Sequence, residues 1–249
     1  GGGHLDQEYT QLRYFKTTDF GATWSGLQQA GDLQPIFATE NSLPDMSAIV
    51  TNGNELCYAV FLAGASTPGV YSFTGPAFSP VLVMAEGSND FGGVGSGASG
   101  WSDIGKTPNG DLFVLIWGAD PTGNNTLWGA KSTDNGASWT SFQIGAEPTL
   151  PAGSSYFHIA DLNNPSWCFV QFQDVNFEQY VLRFPTAGGA GTFVDFGAAA
   201  GTEVSYYIGQ CKPIAYDPTA NALYACFRNV GVTAVATYYS GAMGLTFSG

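Results

Sequence analysis

Basic residues are scarce in this chain: seven Lys and Arg stand against twenty Asp and Glu, for a formal net charge of −13 over 249 residues. A surface this acidic repels phosphate backbones, which argues against nucleic acid as a partner. Charge of either sign is thin, at 11% of residues, against about 25% in an average soluble protein. The acids come in no runs, so they read as a diffuse solvated surface. No apolar stretch approaches the roughly 20 residues of a membrane-spanning helix, and no secretory signal pattern opens the chain. Two histidines, His4 and His158, and acids without ligand spacing make no metal set. No cofactor is implied. The four cysteines lack the CxxC spacing of metal and redox motifs. Cys57 and Cys168 lie in apolar runs and read as buried, inert thiols. Cys211 and Cys226 flank a turn near Pro218-Thr219, where a cross-strand disulfide and two free thiols both fit.

What is present is apolar and turn-rich. Hydrophobic residues make up 44% of the chain and glycine alone supplies 34 positions, a composition that suits short strands joined by many turns and provides for a continuous core. Residues 17–24 read TTDFGATW and residues 132–139 read STDNGASW. Both are S/T-x-D-x-G-x-S/T-W, the pattern of a tight hairpin. Asp19 and Asp134 can accept backbone N–H bonds within the turn. Gly21 and Gly136 can supply a positive φ, and Trp24 and Trp139 can plug the gap to a neighbouring sheet. Weaker copies lie at 75–78 (GPAF), 184–193 (FPTAGGAGTF) and 240–247 (SGAMGLTF). The closing aromatics Trp24, Phe78, Trp139, Phe193 and Phe247 are spaced 54, 61, 54 and 54.

A second series runs between them. ELCYAVF, DLFVLIW, SWCFVQF and ALYACFR each follow a turn (NGN, PNG, LNNP and PTAN), and Leu56, Leu112, Trp167 and Leu223 are spaced 56, 55 and 56. These runs are too short for helices and rich in β-formers. Two series of equal period imply an all-β fold: a β-propeller of four-stranded antiparallel blades with a repeat of about 55 residues. The expected division is an N-terminal segment, 1–11, trimmed or tag-like, followed by the propeller, 12–249. Its first unit holds only the third and fourth strands, at 12–27. Full units follow near 45–83, 101–144, 155–196 and 209–249, about 4.5 blades in all. An unpaired half-blade would expose strand edges, so residues upstream of Gly1 or another chain are expected to complete the ring.

Through these turns the chain resembles the sialidase-like, or BNR-repeat (Asp-box), superfamily over nearly its whole length. The resemblance implies that Asp19 and Asp134 stabilise turns on the face away from the active site. It also implies that a sialidase would need an arginine triad for the substrate carboxylate, a Tyr–Glu nucleophile pair and an Asp acid/base. The chain has only Arg13, Arg183 and Arg228. Arg13 and Arg183 precede Asp-box turns, which leaves Arg228 alone where functional loops begin. Other glycosidases need two carboxylates flanking the scissile bond, and ten scattered loop acids single out no pair.

The ligand-binding candidates are therefore Trp101, Asp103, His158, Glu203, Tyr206, Tyr207 and Arg228, in or beside the long loops 84–101 and 195–209 or on the innermost strands. The 55-residue spacing puts His158 in the column of Asp103. Aromatic faces with amide and carboxylate neighbours suit sugar stacking and hydroxyl bonding. Tyr206 and Tyr207 equally suit a seal between blades. The expected function is a non-catalytic propeller module that contacts a glycan or surface receptor on a phage, virion or cell surface, within a larger chain or assembly. The alternatives are a glycoside hydrolase and a purely structural module. The one Asn-x-Thr sequon, at Asn124, decides nothing.

Overall fold

The computed structural model describes residues 11–32, 47–62, 67–86, 102–119, 124–146, 156–161, 163–173, 179–193, 214–228 and 235–240. These residues form antiparallel sheets, and no helix occurs among them. Sheet one pairs β1 (Gln11–Tyr14) with β2 (Gln28–Asp32). Sheet two is the meander β3 (Ser47–Val50), β4 (Leu56–Leu62), β5 (Gly69–Thr74) and β6 (Ser79–Ala85). Sheet three repeats it with β7 (Ser102–Lys106), β8 (Leu112–Ala119), β9 (Asn125–Ser132) and β10 (Thr140–Ala146). Sheet four has β11 (Tyr156–Asp161), β12 (Trp167–Gln173), β13 (Gln179–Pro185) and β14 (Thr192–Phe193). Sheet five contributes β15 (Ile214–Asp217), β16 (Ala222–Arg228) and β17 (Val235–Ser240).

The turn between the first and second strand of each full sheet explains why the polar tetrads precede the apolar runs. Thr51 and Thr107 open two of these turns. In each the Thr N–H donates to the carbonyl four residues on, at 2.9 Å, and the Thr hydroxyl accepts that same residue's N–H. Asn54 (φ 58°) and Gly110 (φ 93°) provide the left-handed position. In sheet four Asn164 Oδ1 accepts the N–H groups of Ser166 and Trp167 instead, and in sheet five Asp217 Oδ1 accepts those of Thr219 and Ala220.

The second strands read as unbroken apolar runs because each is covered on both faces. In β8, Leu112, Val114 and Ile116 pack with Cys57, Ala59, Val70, Val83 and Met84 of sheet two. The alternate residues Phe113 and Leu115 pack with Cys168, Val170, Leu182 and Phe184 of sheet four. This is the two-residue period of a strand serving two cores at once. All five residues from Leu112 to Ile116 are at most 1% exposed, and each such burial contributes roughly 1.5–3 kcal/mol. Phe113, Phe142 and Phe184 meet at ring separations of 5.8–6.3 Å between sheets three and four. Tyr14, Phe78, Tyr58 and Phe73 line the junction of sheets one and two, where Tyr58 stacks on Phe73 at 4.8 Å.

Polar ties join the same sheets. Lys131 of β9 bonds the Asp111 carboxylate at 2.7 Å and donates to the carbonyl of Thr186 in sheet four at 2.8 Å. The Gly191 N–H donates to the Ile144 carbonyl at 2.7 Å. The first strands β3, β7, β11 and β15 are successive neighbours in space. Cys57 and Cys168 are buried free thiols, and burial pushes the Cys168 thiol up to about 12 and raises that of Cys57. Cys211 and the side chain of Cys226 lie outside the described residues, as do residues 1–10 and the closing aromatic Phe247.

Candidate functional site

The two Asp-box turns have one wiring. In the turn after β9, Asp134 Oδ1 accepts the Ser132 hydroxyl at 2.7 Å and the Ser138 N–H at 2.9 Å, while Oδ2 accepts the Ser138 hydroxyl at 2.5 Å. Ser132 Oγ in turn accepts the N–H of Gly136 at 2.8 Å. After β1, Asp19 accepts the Thr17 hydroxyl and the Thr23 N–H and hydroxyl in the same way, and Thr17 Oγ1 accepts the Gly21 N–H. Consecutive left-handed residues close both turns: Phe20 and Gly21 (φ 56° and 91°), Asn135 and Gly136 (φ 58° and 89°). The Ser138 hydroxyl, then Ser132 and the Ser138 N–H, hold the Asp134 carboxyl at about 2. The Thr23 hydroxyl and N–H do the same for Asp19. Every oxygen of both carboxylates is committed to its turn, which is a structural role.

Trp139 seals a junction, as its position after the turn suggests: its indole N–H donates to Ser72 Oγ on β5 of sheet two at 3.0 Å. Trp24 departs from the expectation. It is 62% exposed. Phe78, in the weak copy, is the better plug, buried against Tyr14 and Tyr58.

The ligand candidates fall elsewhere. Asp103 is the second residue of β7 and is buried; its Oδ1 accepts the Ile104 N–H at 3.0 Å. His158 lies on β11, beside β7. The register moves it off the column of Asp103. Asp103 faces Leu115, and Val170, 55 residues after Leu115, faces Ile159, not His158. The physical reason is a shorter connection: level with Val114 and Phe169 the path from β11 to β12 is two residues shorter than that from β7 to β8, and the bulge between Ile159 and Asp161 restores only one of them. Arg228 ends β16. Asp103, His158 and Arg228 thus share one side, the strand ends that lead away from the Asp-box turns. Trp101, Glu203, Tyr206 and Tyr207 lie outside the described residues, as do the loops that carry them. Arg183 is engaged near the turn end, with its guanidinium 4.5 Å from the centre of the Trp167 ring and its Nε donating to Thr192 Oγ1. Sequence reasoning missed Ser72 and Lys131. Their partners are 67 and 55 residues away, and no local pattern marks such contacts.

No protein-family model matches the chain, and no curated protein matches it. Among solved structures it is similar to the Hadza microbial sialidase Hz136, with a TM-score of 0.55 and 14% identity, covering 97% of this chain and 52% of that one. It is similar also to the α-L-arabinofuranosidase Arb93A of Fusarium graminearum, with a TM-score of 0.52 and 10% identity over 97% of this chain and 70% of that one. A protein of unknown function from Dyadobacter fermentans has a TM-score of 0.52 and 15% identity, over 86% and 70%. The chain therefore spans about half the length of the sialidase. At such identities the likeness shows the fold alone, a β-propeller fold of antiparallel sheets shared with these structures.

Proposed function

We propose that this chain is a non-catalytic Asp-box propeller module that contacts a glycan or a surface receptor through the loops opposite its Asp-box turns. The observation that carries the reading is the placement of Asp103, a carboxylate only 3% exposed at the loop-side end of β7, where the first strands of neighbouring sheets adjoin. A carboxylate there is an acceptor for sugar hydroxyls. His158 and Arg228, at strand ends on the same side, together with Trp101, Glu203, Tyr206 and Tyr207, complete the proposed ligand-binding set. Arg183, tied to Trp167 and Thr192, is not free to join an arginine triad, which favours binding over sialidase chemistry. The composition, low in charge and rich in glycine, suits an extracellular or virion-surface assembly.

The proposed ring holds about 4.5 blades. Support comes from sheet one, which has two described strands where sheets two to four have four.

The second reading is a glycoside hydrolase in which Asp103 is one of two carboxylates. It is favoured by two fold neighbours, a sialidase and an arabinofuranosidase bound to an iminosugar inhibitor. A glycan array followed by an assay for released sugar separates the readings. Binding that weakens in Asp103→Asn without release of sugar is expected. Release of free sugar would sink the non-catalytic reading, and binding to no glycan would leave the assembly module.

A further inference from the structure

Asparagine followed by glycine occurs three times in the chain, at Asn52-Gly53, Asn109-Gly110 and Asn135-Gly136. Each pair lies in a described turn between strands. The pair has a chemistry of its own. Glycine has no Cβ to shield its nitrogen, so that nitrogen can reach the Cγ of the preceding asparagine and expel ammonia. The nitrogen must first lose its proton, and a hydrogen bond that holds the proton stands in the way. All three asparagines are exposed. What separates them is the glycine that follows.

In the Asp box of sheet three, Gly136 is buried and its N–H donates to Ser132 Oγ at 2.8 Å. The other two pairs occupy one kind of five-residue turn, shifted by a single position. The turn opens on Thr51 or Thr107, whose carbonyl accepts the N–H of the fourth residue: Asn54 at 3.0 Å, Gly110 at 2.9 Å. The fifth residue, Glu55 or Asp111, donates its N–H to the threonine hydroxyl. Asn109-Gly110 sets its glycine at the bonded fourth position, where it is buried. Asn52-Gly53 sets its glycine at the exposed third position. Among the described residues the Gly53 N–H has no hydrogen bond.

The Asn52 amide is likewise untied. It makes no hydrogen bond among the described residues. It rests instead on Gly110 of the neighbouring turn, where an added Cβ would collide with the amide. Contact with a bare α-carbon thus positions the amide, and no donor or acceptor has to be surrendered before Cγ is attacked. The space around Gly53 is open as well: a Cβ built there meets nothing closer than 3.8 Å.

We propose that Asn52 is a modification site, the asparagine at which the folded chain loses ammonia to become aspartate and isoaspartate. The Gly53 nitrogen gives its proton to hydroxide and bonds to Asn52 Cγ. The Cγ–Nδ2 bond breaks, and the departing nitrogen takes a proton from water and leaves as ammonia. Water then opens the resulting five-membered imide. Cleavage between Cγ and the Gly53 nitrogen leaves aspartate; cleavage at the Asn52 main-chain carbonyl leaves isoaspartate, with one more methylene in the backbone. One water is consumed and one ammonia released, with no oxidant or reductant. Either product adds a negative charge to a chain already at −13. Isoaspartate also moves the group that packs over Gly110, where sheets two and three adjoin. The inference rests on turn geometry and is independent of glycan binding.

Peptide mapping by mass spectrometry, over a time course at pH 8, follows all three sites in one sample. An isoaspartyl methyltransferase identifies the isoaspartate. In the folded chain Asn52 is expected to convert about fivefold or more faster than Asn109 and Asn135, which require a hydrogen bond to break first. In urea the three rates should draw together, because the turns that separate them are gone. Gly53→Ala, which the open space accepts, should slow conversion at Asn52 and leave the other two sites unchanged. Circular dichroism checks that this variant keeps the fold. Equal rates at the three sites of the folded chain would overturn the proposal, as would an Asn52 that converts only after unfolding. So would an order of rates that persists in urea, since sequence neighbours rather than the turn would then set it.

Discussion

Replacing Asp134 by Asn keeps the size of the side chain and one acceptor oxygen but removes the charge. The carboxylate accepts the Ser132 hydroxyl, the Ser138 N–H and the Ser138 hydroxyl, and these hold it at about 2 against an ordinary 3.8. That difference corresponds to roughly 2.5 kcal/mol before screening. The turn is exposed, water competes for every bond, and about 1 kcal/mol is a realistic remainder. For a chain of this size such a loss lowers the melting temperature by roughly 2–4 °C. The pH dependence carries the stronger test. A carboxyl lowered by folding contributes stability that is full above its unfolded value and is lost as pH falls through its folded value. The gap between parent and Asp134→Asn should therefore be full at pH 5–7, shrink below about pH 4 and close near pH 2. Thermal unfolding followed by circular dichroism across this range measures it. A gap that stays constant, or widens in acid, would show that the carboxylate charge does not hold the turn.

Two further outcomes follow from the junctions between sheets. Trp139→Phe and Ser72→Ala each remove the bond that joins sheets two and three, and each should cost about 1 kcal/mol. Their double variant should cost clearly less than the sum, and full additivity in urea unfolding would mean that the two side chains act independently. Cys57 and Cys168 should resist thiol reagents at pH 8 in the folded chain and react on unfolding, because burial raises both thiols, that of Cys168 to about 12. Peptide mapping after labelling reads this directly, and labelling of Cys168 in the native chain would refute its burial.

Much of the scaffold was legible without coordinates, for local reasons. An Asp box is eight consecutive residues whose hydrogen bonds close on themselves, so TTDFGATW and STDNGASW report their own structure. The runs after the polar turns were equally plain, because a strand covered on both faces needs apolar residues at every position, and β8 has them from Leu112 to Ile116. The candidate site was legible only in outline. Residue spacing tracked the repeat but not the register, and a shorter connection from β11 to β12, only partly offset by the bulge in β11, moved His158 out of line with Asp103.

The amino-acid sequence by itself determined the all-β character, the repeat length and the turn chemistry, since each depends on residues within a few positions of one another. The tertiary structure alone decided which aromatics do the sealing. Trp24 and Trp139 sit in nearly identical octapeptides, yet Trp139 finds Ser72 on the neighbouring sheet while Trp24 stands in solvent. The difference lies in what packs beside each hairpin, a contact between residues distant in the chain that no local pattern encodes.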